Sequence, residues 1–206
     1  MKRNNLLDGK PLYTRAECTG RGSIVPKSPG AYAWYFDRIP QGVPTEDCHR
    51  IGNWILLYVG ISPIAPPKNG KPPSGGNIRK RISTHFSRDA EGSTLRKTLG
   101  ILLAEESGFP LRRVGSGKRI TLTHAGEQAL DMWLEQHSRV CWVDHPQPWI
   151  LEERMLEEIG LPLNLQGNDH HPFYLRLREL RARAIASARK SVIASESGQS
   201  RRSKSL

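Results

Sequence analysis

Two tyrosines stand beside glycines in separate apolar runs of the sequence. Tyr32 follows Gly30 by two positions in SPGAYAWYF, and Tyr58 precedes Gly60 by two positions in LLYVGIS. A phenol can donate or accept a hydrogen bond, and its surroundings shift the pKa at which it exchanges a proton. Two interpretations stay open on these residues alone: the aromatic packing of two core strands, or a pair of phenols at one reaction centre.

A basic segment, RKRISTHF, supplies an arginine and a histidine at helical spacing. Arg81 and His85 are four residues apart and therefore lie on one edge of a predicted helix. That edge borders the apolar stripe of the helix, which consists of Ile78, Ile82 and Phe86. Both side chains should therefore meet the sheet rather than open water. The pair belongs either to a reaction centre or to a structural salt bridge.

The segment LEERMLEEIG carries four glutamates, and helical periodicity separates one from the others. Glu152 falls on the buried face of the predicted helix, whereas Glu153, Glu157 and Glu158 fall on the wet side. A carboxylate that points at a core is costly unless it is paired or binds a metal ion. Glu152 therefore needs a partner. An arginine would make it structural, and a divalent cation would make it a metal ligand.

The chain is strongly basic: its 206 residues include 31 Lys and Arg against 20 Asp and Glu, a net charge of +11. This length suits one domain with a modest insertion and tails, and it is sufficient to bury a core without disulfides. The positive charge favours a polyanionic partner, and nucleic acid before membrane. Charge alone does not decide between an enzyme and a binding protein.

Cysteine spacing and hydropathy argue against a disulfide-rich, zinc-binding or membrane-spanning protein. Cys18, Cys48 and Cys141 are odd in number and form no CxxC pair, so neither a disulfide framework nor a zinc site is indicated. No stretch approaches the roughly 18 apolar residues of a membrane span, and the start has no apolar signal region. We therefore expect a cytoplasmic protein, nucleoid-associated if bacterial, with no membrane contact and no organic cofactor.

Three strands are predicted around the two tyrosines. Residues 31–36 alternate in side-chain character with a period of two, which is typical of a strand. Residues 54–61 are apolar on both faces, which predicts a central strand, and residues 140–143 predict a third strand. Loops rich in proline and glycine occupy residues 37–53 and 62–77.

Helices are predicted to flank these strands, which makes the fold class α/β of the α+β type. The helical segments are 78–86, 94–105, about 126–136, 151–159 and 174–190, and a turn with a short strand is predicted at 114–123. We expect three parts: an arm at 1–28 packed only in part, a domain at 29–173 with a helix-plus-wing insertion at about 107–139, and a basic tail at 174–206, helical and then disordered.

Taken in order, four segments resemble the GIY-YIG nuclease superfamily: SPGAYAWYF, LLYVGIS, RKRISTHF and LEERMLEEIGLPLNLQGN. Gly30-Ala31-Tyr32 stands in place of GIY, and Tyr58-Val59-Gly60 stands in place of YIG. In each triplet only the middle residue differs, and it is again apolar. The resemblance covers about residues 29–168, and the chain departs from compact members in its long loop between the tyrosines and in the inserted segment.

The resemblance implies a small three-stranded antiparallel sheet with flanking helices, which brings the two tyrosines side by side. Arg81 matches the catalytic arginine, and His85 matches a histidine or tyrosine one helical turn later that contacts the phosphate or supports Tyr58. Glu152 matches the metal-binding glutamate. Asn164 matches a structural or catalytic asparagine, which here is expected to fix the backbone around the metal ion.

The same resemblance implies a division of roles. Tyr32 would accept a proton from the attacking water, and Tyr58 would hydrogen-bond that water or the phosphate. Arg81 would lower the pKa of the tyrosines and grip the scissile phosphate. Glu152 would hold one Mg²⁺ or Mn²⁺. Gly30 and Gly60 would have a structural role, because a residue without a side chain lets neighbouring groups approach the backbone closely.

These residues favour a metal-dependent endonuclease that hydrolyses phosphodiester bonds in double-stranded or branched DNA. A non-catalytic nucleic-acid-binding module of the same fold is the alternative. A third possibility is a basic interaction protein whose tail binds a protein partner.

Weaker indications concern substrate contacts. Arg79 and Lys80 point away from the predicted sheet and are considered as contacts to backbone phosphate. Ser93, Thr94 and Arg96 are considered for the same contact, and the alternative for them is a solvated helix start. His171 belongs to a polar cluster with Asn168 and His170 just beyond the site. The insertion, which carries Arg112, Arg113, Lys118 and Arg119, is expected either to place a wing against a nucleic-acid groove or only to pack against the domain. The basic tail is expected to add salt-sensitive affinity for nucleic acid.

Overall fold

The structure is a computed structural model. It describes residues 6–7, 9–67, 69, 72–87, 89–114 and 118–191. The predicted disordered end, apart from Ser191, lies outside the described residues.

The chain forms a mixed α/β fold in which helices surround an antiparallel sheet. The strands are β1 (Gly30–Phe36), β2 (Arg50–Ile51), β3 (Trp54–Ser62), β4 (Arg112–Arg113), β5 (Ile120–Thr121) and β6 (Ser138–Asp144). The helices are α1 (Arg15–Cys18), α2 (Ile78–Ser87), α3 (Thr94–Leu102), α4 (Ala104–Ser107), α5 (His124–His137), α6 (Pro148–Glu158) and α7 (Tyr174–Lys190).

The main sheet has four strands in the order β2-β3-β1-β6, with every neighbouring pair antiparallel. The expectation of three strands is therefore wrong in number. The additional strand, β2, pairs with the start of β3 through two residues only. So short a pairing leaves no period-two pattern in the sequence. β4 and β5 form a separate two-stranded hairpin in the predicted insertion.

Both β1 and β3 are interior strands of the sheet, and β1 is the more fully paired of the two. β1 is paired along its whole length with β3 on one side and with β6 on the other. β3 was predicted to be central because both of its faces are apolar. The prediction holds for the start of β3, which pairs with β2. Further along, a loop covers the outer edge of β3, and the Leu163 amide of this loop donates to the Leu57 carbonyl over 3.0 Å. Where β2 ends, this loop therefore takes the place of a neighbouring strand.

Both faces of the sheet are covered by apolar layers, because alternate residues of β1 point into different cores. Tyr32, Trp34 and Phe36 belong to the core that includes Ile78, Ile82 and Phe86 of α2. Ala31, Ala33 and Tyr35 belong to the core that includes Met155 and Leu156 of α6. All seven residues of β1 are buried as a result. The sheet therefore provides a rigid base for the two tyrosines.

The N-terminal arm is packed more fully than its polar sequence indicates. Leu6 and Cys18 are fully buried, as is Val25. Tyr13 pairs with Val140 through two backbone hydrogen bonds of 2.9 and 3.0 Å, which cover part of the outer edge of β6. These apolar residues are spaced singly among polar ones, so they give no periodic signal. Other residues of the arm, such as Gly22 and Ile24, remain exposed, so the arm is packed in part.

The predicted Arg-rich helix is present as α7, and it packs against the rest of the fold. Leu177 and Ala188 are fully buried on its inner side. α7 contacts α3 and the β4–β5 hairpin. Within the described part of the chain, no helix has both the length and the apolar character needed to cross a membrane.

Candidate active site

A cleft of about 480 Å³ brings together residues that are far apart in the sequence. Five of the six residues predicted to be catalytic line it, namely Tyr32, Tyr58, Arg81, Glu152 and Asn164. The wall is completed by the segment after β3 and by residues that include Thr94, Trp149 and Gln166. The sixth, His85, lies behind Tyr32 and is fully buried.

The strand register places the two tyrosines on one face of the sheet. Tyr32 pairs with Gly60, and Trp34 pairs with Tyr58, so the two phenols are diagonal neighbours across β1 and β3. A Cβ atom at Gly60 would lie 2.4 Å from the Tyr32 hydroxyl oxygen. Glycine at this position therefore makes the space that the Tyr32 phenol occupies.

Replacing Gly60 by alanine is expected to disable the site while leaving the fold intact. The added methyl group must displace the Tyr32 ring, which is 1 % exposed and has little room to move. A displacement on the order of 1 Å lowers the rate of a positioned reaction about 10²-fold. The measurement is the rate of DNA cleavage together with a thermal melt.

Two other glycines serve as controls for this variant. At Gly30 an added Cβ would lie 2.3 Å from the carbonyl oxygen of Val143, so Gly30→Ala should lower stability through the β1–β6 pairing. At Gly75 nothing lies within 4 Å, so Gly75→Ala should change neither property. Unchanged cleavage by Gly60→Ala would contradict the steric role of Gly60.

His85 connects Tyr32 to α3 through both of its ring nitrogens. Its Nε2 lies 2.9 Å from the Tyr32 hydroxyl, and its Nδ1 lies 2.7 Å from the Ser93 Oγ. Burial lowers the pKa of His85 well below its usual value, and the charges of Arg81 and Arg96 lower it further. The imidazole is therefore neutral at pH 7, with one nitrogen donating and the other accepting. His85 therefore supports Tyr32 through a hydrogen bond, and its ring also packs edge-on against Tyr58, with the ring centroids 5.8 Å apart.

Arg81 interacts with the hydroxyl groups of both tyrosines, and its Nη1 also donates to the Gly92 carbonyl over 3.3 Å. Burial raises the pKa of Tyr32 well above its usual value and the pKa of Tyr58 to about 12. The Arg81 charge opposes this rise but does not overcome it. The expectation that Arg81 gives the phenols a lowered pKa is therefore corrected, and both are neutral at pH 7.

Glu152 presents a carboxylate to the cleft, where it lies near the two tyrosines. Among the residues described, none makes a hydrogen bond or an ion pair with it. Burial raises its pKa to about 7. The sequence predicts that the partner of Glu152 is either an arginine or a divalent cation. No arginine in the described part of the chain pairs with Glu152. The described residues also contain no group of three metal-ligating side chains.

This donor set fits a hard divalent cation. Mg²⁺ is commonly bound through one or two carboxylates together with substrate phosphates and water. Glu152 supplies one ionisable carboxylate, and the cleft beside it has room for a phosphate. Mn²⁺ takes the same oxygen ligands.

Asn164 fixes the outer edge of β3 beside the cleft. Its Nδ2 donates to the Val59 carbonyl over 2.9 Å, and its Oδ1 accepts from the Val59 amide over 3.0 Å. Asn168 supports this loop, since its Nδ2 donates to the carbonyls of Leu161 and Asn164. Both ends of the Asn164 amide are therefore occupied by backbone. This arrangement agrees with the backbone-fixing role expected of Asn164.

Arg96 is not available to a substrate, in contrast to the predicted phosphate contact. Its side chain is fully buried and forms ion pairs of 2.6 Å with Glu127 and with Asp131. It also donates to the carbonyls of His85 and Phe86. The paired carboxylates come from α5, inside the predicted insertion. Arg96 therefore joins α3 to α2 and α5.

Of the other weakly indicated substrate residues, Thr94 lines the cleft, whereas Arg79, Lys80 and His171 lie away from it. Arg79 is half-buried and donates to the Val25 carbonyl, whereas Lys80 is exposed. Both line a separate depression of about 230 Å³ with Lys27. The Nδ1 of His171 accepts from the Phe173 amide over 3.1 Å, and His171 does not line the cleft.

One basic residue beside the cleft was missed by the sequence analysis. Arg181 of α7 interacts with the Tyr58 phenol, and its Nη1 reaches the Thr94 carbonyl over 3.5 Å. α7 carries several arginines at close spacing, so no sequence pattern distinguishes this one. The packing of α7 on α3 is what distinguishes Arg181 from the other arginines of α7.

Comparison with known proteins gives one match. A family model described as the GIY-YIG catalytic domain matches residues 30–183, which is most of the chain. No curated protein and no solved structure was found to match it.

Proposed function

Because the chain belongs to the GIY-YIG nuclease superfamily, we propose that it is a metal-dependent endonuclease that hydrolyses DNA phosphodiester bonds in this cleft. A nuclease-type function is what the family generally implies. The observation that carries the finer proposal is the convergence of two phenols, a guanidinium and an unpaired carboxylate on one cleft. A fold that only bound nucleic acid would have no need of a half-buried carboxylate that no described residue pairs with.

Arg81 binds the scissile phosphate. Its guanidinium is permanently charged, and its planar donor fork matches the geometry of phosphate oxygens. The hydroxyl groups of Tyr32 and Tyr58 lie against the same guanidinium. A phosphate held there is therefore within reach of both phenols. Tyr58 hydrogen-bonds either this phosphate or the attacking water.

Tyr32 and His85 move the proton of the attacking water. Because Tyr32 is neutral, it accepts the proton of water only as it gives up its own. The acceptor is the Nε2 of His85, at 2.9 Å, in the tautomer whose Nδ1–H donates to Ser93. This relay leaves no buried phenolate. The negative charge of the substrate favours the imidazolium that forms transiently. When the products leave, its proton returns to water through the Tyr32 hydroxyl.

Hydrolysis then balances as a single displacement. The water oxygen bonds to phosphorus, the bond from phosphorus to the 3′ oxygen breaks, and the departing oxygen takes a proton from solvent in the open cleft. Glu152 is the residue that would hold the divalent cation. When bound, such an ion neutralises charge on the phosphate and the leaving oxygen.

The test is a cleavage assay on a panel of supercoiled, linear, single-stranded and branched DNAs with Mg²⁺ or Mn²⁺. We expect nicked or linear products with 5′-phosphate ends, and no products in excess chelator. Cleavage that persists in chelator would contradict the metal requirement. Binding without cleavage of any DNA form would favour the non-catalytic module.

A further inference from the structure

Arg181 has a charge that no neighbouring residue balances. Its side chain lies between α7 and α3, where Nη1 donates to the Thr98 hydroxyl and the Thr94 carbonyl. It is half-buried, and burial lowers its pKa. No carboxylate within the described ranges lies at ion-pair distance from it.

Arg96 of α3 provides a direct comparison. Its buried guanidinium is held by two carboxylates, Glu127 and Asp131, as is usual for an arginine out of contact with water. On α7 itself, the exposed Arg176 and Arg183 both pair with Glu179. Arg181 differs from all three because only neutral oxygens contact it. An unbalanced guanidinium of this kind is suited to an anionic ligand.

The remaining donors of Arg181 are free to bind such a ligand. Its Nε and Nη2 make no hydrogen bond within the described chain, and neither is sealed from solvent. Thr94, which contacts Arg181, is exposed and lines the cleft. Arg181 itself does not line the cleft, so it lies beside the cleft on the side of Tyr58 and Thr94.

We propose that Arg181 binds a backbone phosphate of the substrate strand adjacent to the phosphate held by Arg81. This inference rests on the proposed function, since it assumes that a DNA strand occupies the cleft. A strand that leaves the cleft over Thr94 brings its next phosphate to the free donors of Arg181. The two arginines then fix two points of one strand, which sets the direction in which the scissile bond is presented.

The alternative is that Arg181 serves only to attach α7 to α3. Two substitutions separate these roles. Thr98→Val removes the hydroxyl that accepts from Arg181 but keeps the guanidinium charge, whereas Arg181→Gln removes the charge. If attachment is the role, both variants should lose DNA affinity together. If phosphate binding is the role, only Arg181→Gln should lose it.

The experiment measures DNA binding without cleavage, by fluorescence anisotropy in chelator, over a series of salt concentrations. The probes are a short fluorescent duplex and a fluorescent branched junction, of which the tighter is used for the variants. We expect Arg181→Gln to bind about 10-fold more weakly than wild type. The slope of log affinity against log salt should become shallower by about 0.9, as for one lost phosphate contact.

Arg38→Gln is the charge-matched control, because Arg38 is exposed, pairs with Glu106 and lies outside the cleft. It should leave the slope within error of wild type. Arg181→Met, which keeps the apolar stem, replaces Arg181→Gln if a thermal melt shows that the glutamine variant is unfolded.

Two results would overturn the inference about Arg181 without affecting the proposed function. One is a folded Arg181 variant with the DNA affinity and salt slope of wild type, and the other is a Thr98→Val variant that loses as much DNA affinity as Arg181→Gln. Wild-type protein that binds neither probe would instead overturn the proposed function.

Discussion

Glu152→Gln is expected to abolish DNA cleavage and, above pH 7, to raise the melting temperature. The loss of activity should be about 10³-fold or more, because glutamine is a poor ligand for a hard cation and supplies no charge. The gain in stability follows from the burial of an unpartnered carboxylate, whose pKa is raised to about 7 from an ordinary value near 4.5. DNA affinity should be kept, since a negative charge is removed from the cleft.

The sign of the stability effect depends on pH. The folded state holds the Glu152 proton more tightly than the unfolded state does, so folding becomes less favourable as pH rises from about 4.5 to about 7. Glutamine removes this dependence. The melting temperatures of wild type and variant should therefore be similar near pH 4 and should diverge up to pH 8, by about 2–4 °C for each kcal/mol.

Glu153→Gln is the matched control, because Glu153 is the exposed neighbour of Glu152 on α6. It should change neither cleavage nor the pH dependence of melting. The assignment of Glu152 would be refuted by a folded glutamine variant that still cleaves at the wild-type rate. A lower melting temperature at pH 8 would instead mean that a protein group stabilises the carboxylate.

Tyr32→Phe is expected to lower the cleavage rate about 10²- to 10⁴-fold, the range typical for loss of a group that accepts a proton in the reaction. The phenylalanine ring keeps its place over Gly60, but the Nε2 of His85 loses its partner at 2.9 Å. An unsatisfied buried nitrogen costs about 1–3 kcal/mol, so the variant should also melt at a lower temperature. The measurement is the single-turnover cleavage rate with saturating DNA.

Tyr35→Phe separates the catalytic effect from the structural one. The Tyr35 hydroxyl bonds the Nδ1 of His49 at 3.0 Å, on the opposite face of β1. Its removal should lower stability comparably and leave the cleavage rate unchanged. Equal rates for the Tyr32→Phe and Tyr35→Phe variants would remove Tyr32 from the proton relay.

Helical periodicity was sufficient to separate Glu152, which lines the cleft, from Glu153, Glu157 and Glu158, which are exposed. The same reasoning placed Arg81 and His85 on one edge of α2, and the structure has Arg81 at the cleft and His85 behind Tyr32. What local spacing cannot supply is the partner from a distant element. Ser93 beside His85 and the carboxylates around Arg96 depend on how α3 and α5 pack.

The protonation state of the tyrosines shows a second limit. From the sequence, a nearby arginine predicts a lowered phenol pKa, and Arg81 does act in that direction on Tyr32 and Tyr58. The depth of burial decides the balance, and that depth depends on both layers that cover the sheet. The sequence did not predict β2 or Arg181 for a related reason: each acquires its role from a contact with residues distant in the sequence.

The close fit between the Tyr32 hydroxyl and the missing side chain of Gly60 has an evolutionary consequence. A ring at position 32 and a methyl group at position 60 exclude one another, so neither site can change freely while the other stays the same. We therefore expect the two positions to covary among descendants of this sequence. A library that randomises both codons at once should recover functional combinations that stepwise substitution never reaches.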